Sequence, residues 1–421
     1  MRLDPFSEPY NRDPAATWRR MLATAAPVSY DPELGIWLIA GHDNVRTVLS
    51  DTTNFSNATT LAPVTPVSAA ADAVLAALDA PPVAVTADRP HHLRTRAILR
   101  ALFPTTAVRA QQQWGALVQT RVDHLATDLE QQSTADLMHF AVHLPLSVIL
   151  DVLGMPITDA TDVRAWTDDF ARLVWGNPTP HAQFAYAHSS VALWRYCADA
   201  VTARAESGDY GCGLIGDLLR YRNHDDANLT VAEVAALALN IVGAGWQTTA
   251  GALGHALDQA LTDPDRWARL ADDEHSLSLH VEETLRHSPP IDGWLRQSTT
   301  EVTLDGVTIP AGSRCLVLIG AANHDPAVYD QPYVFDPLRT RAGQHLAFGA
   351  GPHYCIGAAL ARLELATALR TLARRMPNLS LAAGYQRQFR PSVALRQHTS
   401  LPVRRRDARR CPVAGTAGRP R

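Results

Sequence analysis

The sequence contains no lysine, so all 38 of its strongly basic residues are arginines. A bias toward GC-rich codons explains this more simply than a general need for guanidinium forks. Against 42 acidic residues the formal net charge is −4, a balance that points to no nucleic-acid partner and no acidic tail. Long apolar runs are also missing: none reaches the ~18 residues of a membrane span. The opening stretch, MRLDPFSEPYNRDP, lacks a charged-then-apolar leader. The expectation is a cytoplasmic protein that does not engage a membrane. Cysteine is scarce too. Cys197, Cys212, Cys315, Cys355 and Cys411 are scattered without CxxC spacing, which argues against a disulfide framework or a zinc site. No glycine fingerprint for a dinucleotide follows a strand, so no reductase segment is read in the chain.

What the sequence does have is helix. Amphipathic periodicity covers most of it, and the few strand signals are GIWLIAG (35–41) and EVTLDGVTIPAGSRCLVLIG (301–320). The second carries an Asp305-Gly306 turn, the mark of a hairpin. The fold class expected is mainly α with small β-sheets. Residues 60–87, rich in Ala, Pro, Thr and Val, read as a long loop with some helix. The arginine-rich stretch 404–421 has little to bury and reads as a disordered tail behind a folded unit of 1–403.

One helix stands out. Thr230 and Glu233 form a capping-box pattern that opens an apolar run lasting to Asp263-Pro264. Its ~32 residues make ~48 Å of helix. Gly243, Gly245 and Gly251 inside it each cost ~1 kcal/mol relative to alanine. Something must lie close against such a backbone.

Cys355 sits in HLAFGAGPHYCIG (345–357). A thiolate is either a nucleophile or a metal ligand. His353 is a poor base for it, two residues away. The ligand reading suits the surroundings better. Glycines allow close backbone approach, and the helical run that starts at Cys355 places its dipole at the sulfur.

FGAGPHYCIG resembles the haem-binding signature of the cytochrome P450 family, F-G-x-G-x-[HR]-x-C-x-G, at every specified position. The resemblance extends from about residue 5 to 403 and implies the family's fold, with a long central helix over haem b. It implies Cys355 as iron ligand, with Phe348, Gly349 and Gly357 beside the cofactor. Glu283 and Arg286 look like the family's ExxR motif, and Arg339 in FDPLR like the third member of its structural triad. His92 and Arg96 in HHLRTR match positions that bind the haem propionates, as do Arg296 and His353.

The central helix departs from the pattern A-G-x-[DE]-T-[TS]. Here it reads Ala244-Gly245-Trp246-Gln247-Thr248-Thr249. Thr248 is retained for oxygen, but Gln247 replaces the acid that helps to deliver protons, and an amide does not titrate near neutral pH. The reading is an altered proton relay. A more modest role for Thr248 is a bond to the carbonyl four residues back. Asn240, Gly243, Ile291 and Trp294 are the substrate-side candidates, although Asn240 serves equally well as a core amide held by protein partners.

The implied function is a monooxygenase acting on a small secondary metabolite. Its electrons come from NAD(P)H through ferredoxin and ferredoxin reductase. Arg362, Arg370 and Arg374 form either part of a docking face or a solvated helix face. The alternatives are oxidative C–C or C–O coupling of an aromatic substrate, such as a small cyclic peptide, and a non-catalytic haem-binding protein.

Overall fold

The structure is a computed structural model that describes residues 2–23, 27–223 and 229–405. Its helices run in chain order as α1 (Glu8–Arg12), α2 (Ala15–Ala23), α3 (His42–Ser50), α4 (Ala69–Ala76), α5 (His91–Leu102), α6 (Ala107–Glu130), α7 (Leu137–Leu153) and α8 (Ala160–Trp175). There follow α9 (Pro180–Ser207), α10 (Leu214–Arg222), α11 (Val231–Ala244), α12 (Gln247–Leu261), α13 (Pro264–Asp272), α14 (Glu274–His287), α15 (Ile319–Ala322) and α16 (Ala358–Arg375). No helix among the described residues is long and apolar enough to cross a membrane.

The sheets are small, as the sparse strand signals require. Strands β1 (Val28–Asp31), β2 (Ile36–Ile39), β3 (Phe55–Ser56), β5 (Trp294–Ser298) and β8 (Arg314–Val317) form one sheet in the order β1-β2-β8-β5-β3. Only β2 and β8 pair in parallel there. Strands β6 (Val302–Leu304) and β7 (Val307–Ile309) form the expected hairpin, with positive φ at Asp305 (48°) and Gly306 (75°). Strands β4 (Thr134–Asp136), β10 (Pro402–Arg405) and β9 (Leu379–Leu381) make the third sheet. Arg404 and Arg405, the first two residues of the expected tail, therefore belong to a strand; the rest of that tail lies outside the described residues.

The capping box forms as read: the Glu233 amide donates to Thr230 Oγ1 (3.1 Å) and the Thr230 amide to Glu233 Oε2 (2.8 Å). The single ~48 Å helix expected beyond it is realised as two, α11 and α12, interrupted at Gly245-Trp246. Close packing accounts for the glycine there. A Cβ on Gly245 would lie 2.5 Å from Ile149 Cγ1 of α7. That helix, apolar on nearly every face, packs along α12 at the centre of the main core. α12 in turn packs on α16, the helix that follows Cys355.

Candidate functional site

Cys355 lies three residues before α16, whose first helical residue is Ala358; the sequence had suggested that the helix starts at the cysteine itself. Residues 355–357 instead form a turn. The Cys355 amide donates to the Phe348 carbonyl at 2.9 Å and closes the loop, and the Gly357 amide donates to the sulfur. The side chain is accessible at the surface of the loop, although the protein packed around it makes burial the largest influence on its thiol. Burial pushes the thiol pKa up; the Gly357 N–H, Arg96 and Arg362 pull it back part of the way.

Four cationic or hydrogen-bonding side chains gather beside this loop. The rings of His92, from α5, and His353 stack with centroids 3.8 Å apart. Arg96, one turn along α5, donates to the Tyr354 carbonyl, and its buried Nε has no protein partner. Arg296, on β5, is buried and donates to Thr60 Oγ1 (3.0 Å) and the Leu295 carbonyl (2.7 Å). Burial, then His92 and Arg296, push His353 down to about 3. Burial lowers Arg296 to about 10. The neighbouring carboxylate, Asp88, is already engaged by the Ser56 hydroxyl and the Asn57 amide. With the two histidines held neutral, the charge of the cluster is that of Arg96 and Arg296 against the single carboxylate of Asp88.

Behind the loop the three charged residues read from ExxR and FDPLR come together. Arg286 clamps Glu283 with two prongs, and Arg339 Nε reaches Glu283 Oε1 at 3.3 Å. Arg286 also donates to the carbonyls of Asn323 and Pro332, each at 2.8 Å. The result is a structural rivet with no free valence.

The central helices are less uniform. Gly243 borders open space, Ala244 is exposed, and Gly245, partly exposed, has Ile149 of α7 against the side where a Cβ would stand. The Thr248 hydroxyl donates to the Ala244 carbonyl at 3.0 Å, the back-bond expected of a helical threonine. Gln247 is buried, with Nε2 donating to Asp168 Oδ1 at 2.9 Å. Asn240 Oδ1 accepts from the Val85 amide at 3.1 Å, which ties α11 to the 60–87 loop. Ile291 is buried and bridges Leu395; Trp294 is partly buried, edge-on to Trp175.

Sequence reasoning missed Thr60, the Tyr354 carbonyl and Asp168. Each acts across a long separation, and no motif in the sequence singles out Asp168. The arginines suggested as a docking face are already paired: Arg362 with Glu282, Arg370 with Glu274 and Arg374 with Asp272. The solvated-face reading, with intramolecular ion pairs, is the better description.

The donor set fits haem b. A soft, accessible sulfur is backed by an amide and lies beside an arginine–histidine cluster that holds an unpartnered buried donor. Those groups suit a thiophilic metal carried by a ligand with anionic arms.

Comparison with known proteins agrees. The sequence model of the family described as Cytochrome P450 matches residues 213–376. The chain is 33% identical to the cytochrome P450 monooxygenase PikC of Streptomyces venezuelae, over 97% of this chain and 94% of that one. It is 33% identical to 6-deoxyerythronolide B hydroxylase of Saccharopolyspora erythraea, over 76% of this chain and 77% of the other. Among solved structures, cytochrome P450 CREJ in complex with (4-ethylphenyl) dihydrogen phosphate superposes with a TM-score of 0.88 at 28% identity, covering 96% of this chain and 99% of that one. The chain therefore belongs to the cytochrome P450 family, haem b monooxygenases that oxidise small organic molecules with electrons taken from NAD(P)H through redox partners.

Proposed function

We propose that the chain oxygenates a small secondary metabolite, with Cys355 as the ligand of the haem iron. The observation that carries this reading is the Cys355 thiol beside two arginines, Arg96 and Arg296, and two stacked histidines, His92 and His353. Haem b supplies the iron that binds and activates dioxygen. His92, Arg96, Arg296 and His353 hold its propionates, and Arg96 Nε finds there the acceptor it otherwise lacks. Phe348, Gly349, Gly357 and Ala244 line its place, and the Glu283–Arg286–Arg339 rivet fixes the loop from behind.

The Thr248 hydroxyl spends its hydrogen on Ala244, so its oxygen accepts from water. Gln247 orients water without titrating. Ile291 and Trp294 offer an apolar wall and Gly243 leaves room beside it. The Asn240 carbonyl oxygen is spent on Val85, so only its NH2 is left for a substrate acceptor. A relative named for hydroxylating 6-deoxyerythronolide B supports a secondary metabolite as substrate. Ferredoxin and ferredoxin reductase deliver the electrons, in the cytoplasm.

The test is to reduce the purified protein under carbon monoxide. A strongly red-shifted Soret band, lost in Cys355→His, supports thiolate ligation; an imidazole-type band in the wild type overturns it. Product mass then decides the chemistry: a gain of one oxygen supports monooxygenation, whereas a loss of two hydrogens indicates coupling.

A further inference from the structure

Arg314, on β8, is half-buried, and among the described residues its side chain makes no ion pair. Its one hydrogen bond runs from Nη2 to the Pro63 carbonyl at 2.8 Å. Burial lowers its pKa and no acid raises it back. A guanidinium drawn out of water in this way is ordinarily paired. Here most of the fork is unspent.

Arg314 lines a groove of about 340 Å³, together with Glu33 and Leu34 of the turn between β1 and β2 and with residues 63–67. That is the size of a site for a small organic molecule. Glu33 is exposed at its edge and already pairs with Arg2 at 3.0 Å. The Thr65 hydroxyl donates to the Gly176 carbonyl at 3.4 Å. The strip 63–67 is held from behind by the end of α8 and the start of α9. The Val64 amide donates to the Val174 carbonyl at 2.9 Å, and Gln183 Nε2 to the Pro66 carbonyl at 2.9 Å. Pro63 and Pro66 carry no N–H. A ligand lying in the groove therefore meets mostly carbon, and an unspent positive charge at one point.

We propose that this groove binds a small apolar monocarboxylate, with the acid on the Arg314 fork and the hydrocarbon along residues 63–67 and Leu34. A planar carboxylate matches the guanidinium in shape and takes two parallel hydrogen bonds. One arginine balances one negative charge. A phosphate would bring a second, unmatched in an apolar lining and facing Glu33 at the edge. The site is separate from the haem pocket and does not rest on the haem-thiolate reading. Val64 belongs to the same core as Trp175 and Trp294, so a bound acid braces the strip that packs on that wall from its outer side.

The probe is octanoate, with octanol as its uncharged counterpart. Equilibrium dialysis of labelled octanoate against the holoprotein gives affinity, hydrogen exchange at the Val64 amide gives location, and the Soret band reports the haem pocket. Saturable binding is expected that slows exchange at Val64 and leaves the Soret band in place. Arg314→Gln should weaken it about ten-fold, the effect of losing hydrogen bonds to a charged group, and octanol should bind weaker than octanoate by a similar factor. Arg314→Lys keeps the charge without the fork and should fall between. Pro66→Asp, at an exposed position, leaves Arg314 in place but sets a competing carboxylate in the groove, and should also weaken binding. No saturable binding overturns the inference. So does an affinity that both Arg314→Gln and Pro66→Asp leave unchanged, and so does binding that displaces the Soret band without slowing Val64, which puts the acid in the haem pocket. If Arg314→Gln does not fold, Pro66→Asp decides: weaker binding supports the groove and an unaltered affinity overturns it.

Discussion

Glu283 and Arg286 meet through a two-pronged contact, 2.8 Å on each prong, with neither side chain exposed at all. Assembling such a pair gains little net stability, because both charges leave water; removing one partner strands the other. Glu283→Gln is expected to cost ~3–5 kcal/mol and to abolish most of the folded, haem-loaded protein. Arg339→Lys, at the partly accessible end of the triad, should leave a folded protein with a lower melting temperature. Equal behaviour of the two variants in thermal melts and haem yield would contradict this ordering.

The glycines of the cysteine loop differ in purpose, and so should their alanine variants. Gly351 has φ +68°, and a Cβ there would sit 2.6 Å from Ser50 Cα of α3. Backbone against backbone cannot give way cheaply. Gly351→Ala combines that overlap with ~1–2 kcal/mol of left-handed strain and should depress both folding and haem uptake. Gly357 has φ −84°, and its Cβ would rest 3.8 Å from Cys355 Sγ, an ordinary contact. Gly357→Ala should fold normally, and any effect should appear in the spectrum of the cofactor. Haem titration after refolding separates the two.

Asn240 looked like a substrate contact as much as a core amide; its bond to the Val85 amide makes it first a tether for the 60–87 loop. Asn240→Ala removes the acceptor of a partly buried amide, at ~1–3 kcal/mol. Hydrogen exchange at Val85 should quicken accordingly. Asn240→Asp keeps an acceptor and should keep Val85 protected. If both variants exchange like wild type, the tether is not what holds the loop.

The parts of this protein legible in sequence are those whose partners are near or whose pattern is rigid. The Asp305-Gly306 turn, the Thr230–Glu233 cap and the spacing around Cys355 each declare themselves within a few residues. The ExxR pair was legible for the same reason, being one helical turn apart. Contacts made by the tertiary fold were not. Nothing in GAGWQTT announces a break, because the apolar period runs through it; α7 packs against Gly245, and α8 receives Trp246 and Gln247 from 79 residues away. Ion pairing failed likewise: Arg362, Arg370 and Arg374 show the helix they belong to but not the acids of 272–282 that neutralise them.

Stability should fall on the acid side of neutrality, and buried histidines give the reason. His280 donates from Nε2 to the Ala256 carbonyl at 2.9 Å, which leaves Nδ1 buried with no partner. Burial holds it at about 4. Burial, with Arg396 and Arg387 nearby, holds His398 at about 3. In the unfolded chain both titrate near ~6.5. Below that pH the unfolded state takes up protons that the native state refuses, so the stability these groups contribute is complete above ~6.5 and drains away as the pH falls toward their native values. Asp292 works in the opposite sense: burial raises it to about 6, so the native state binds its proton first between that value and ~3.9. One proton against two leaves the histidines ahead. The melting temperature should be flat above pH ~7 and drop below pH ~6. His280→Gln, whose amide still donates to Ala256 but cannot titrate, should remove up to ~1.4 kcal/mol per pH unit of that slope. An unchanged slope in this variant would show that His280 is protonated in the native protein, against its environment.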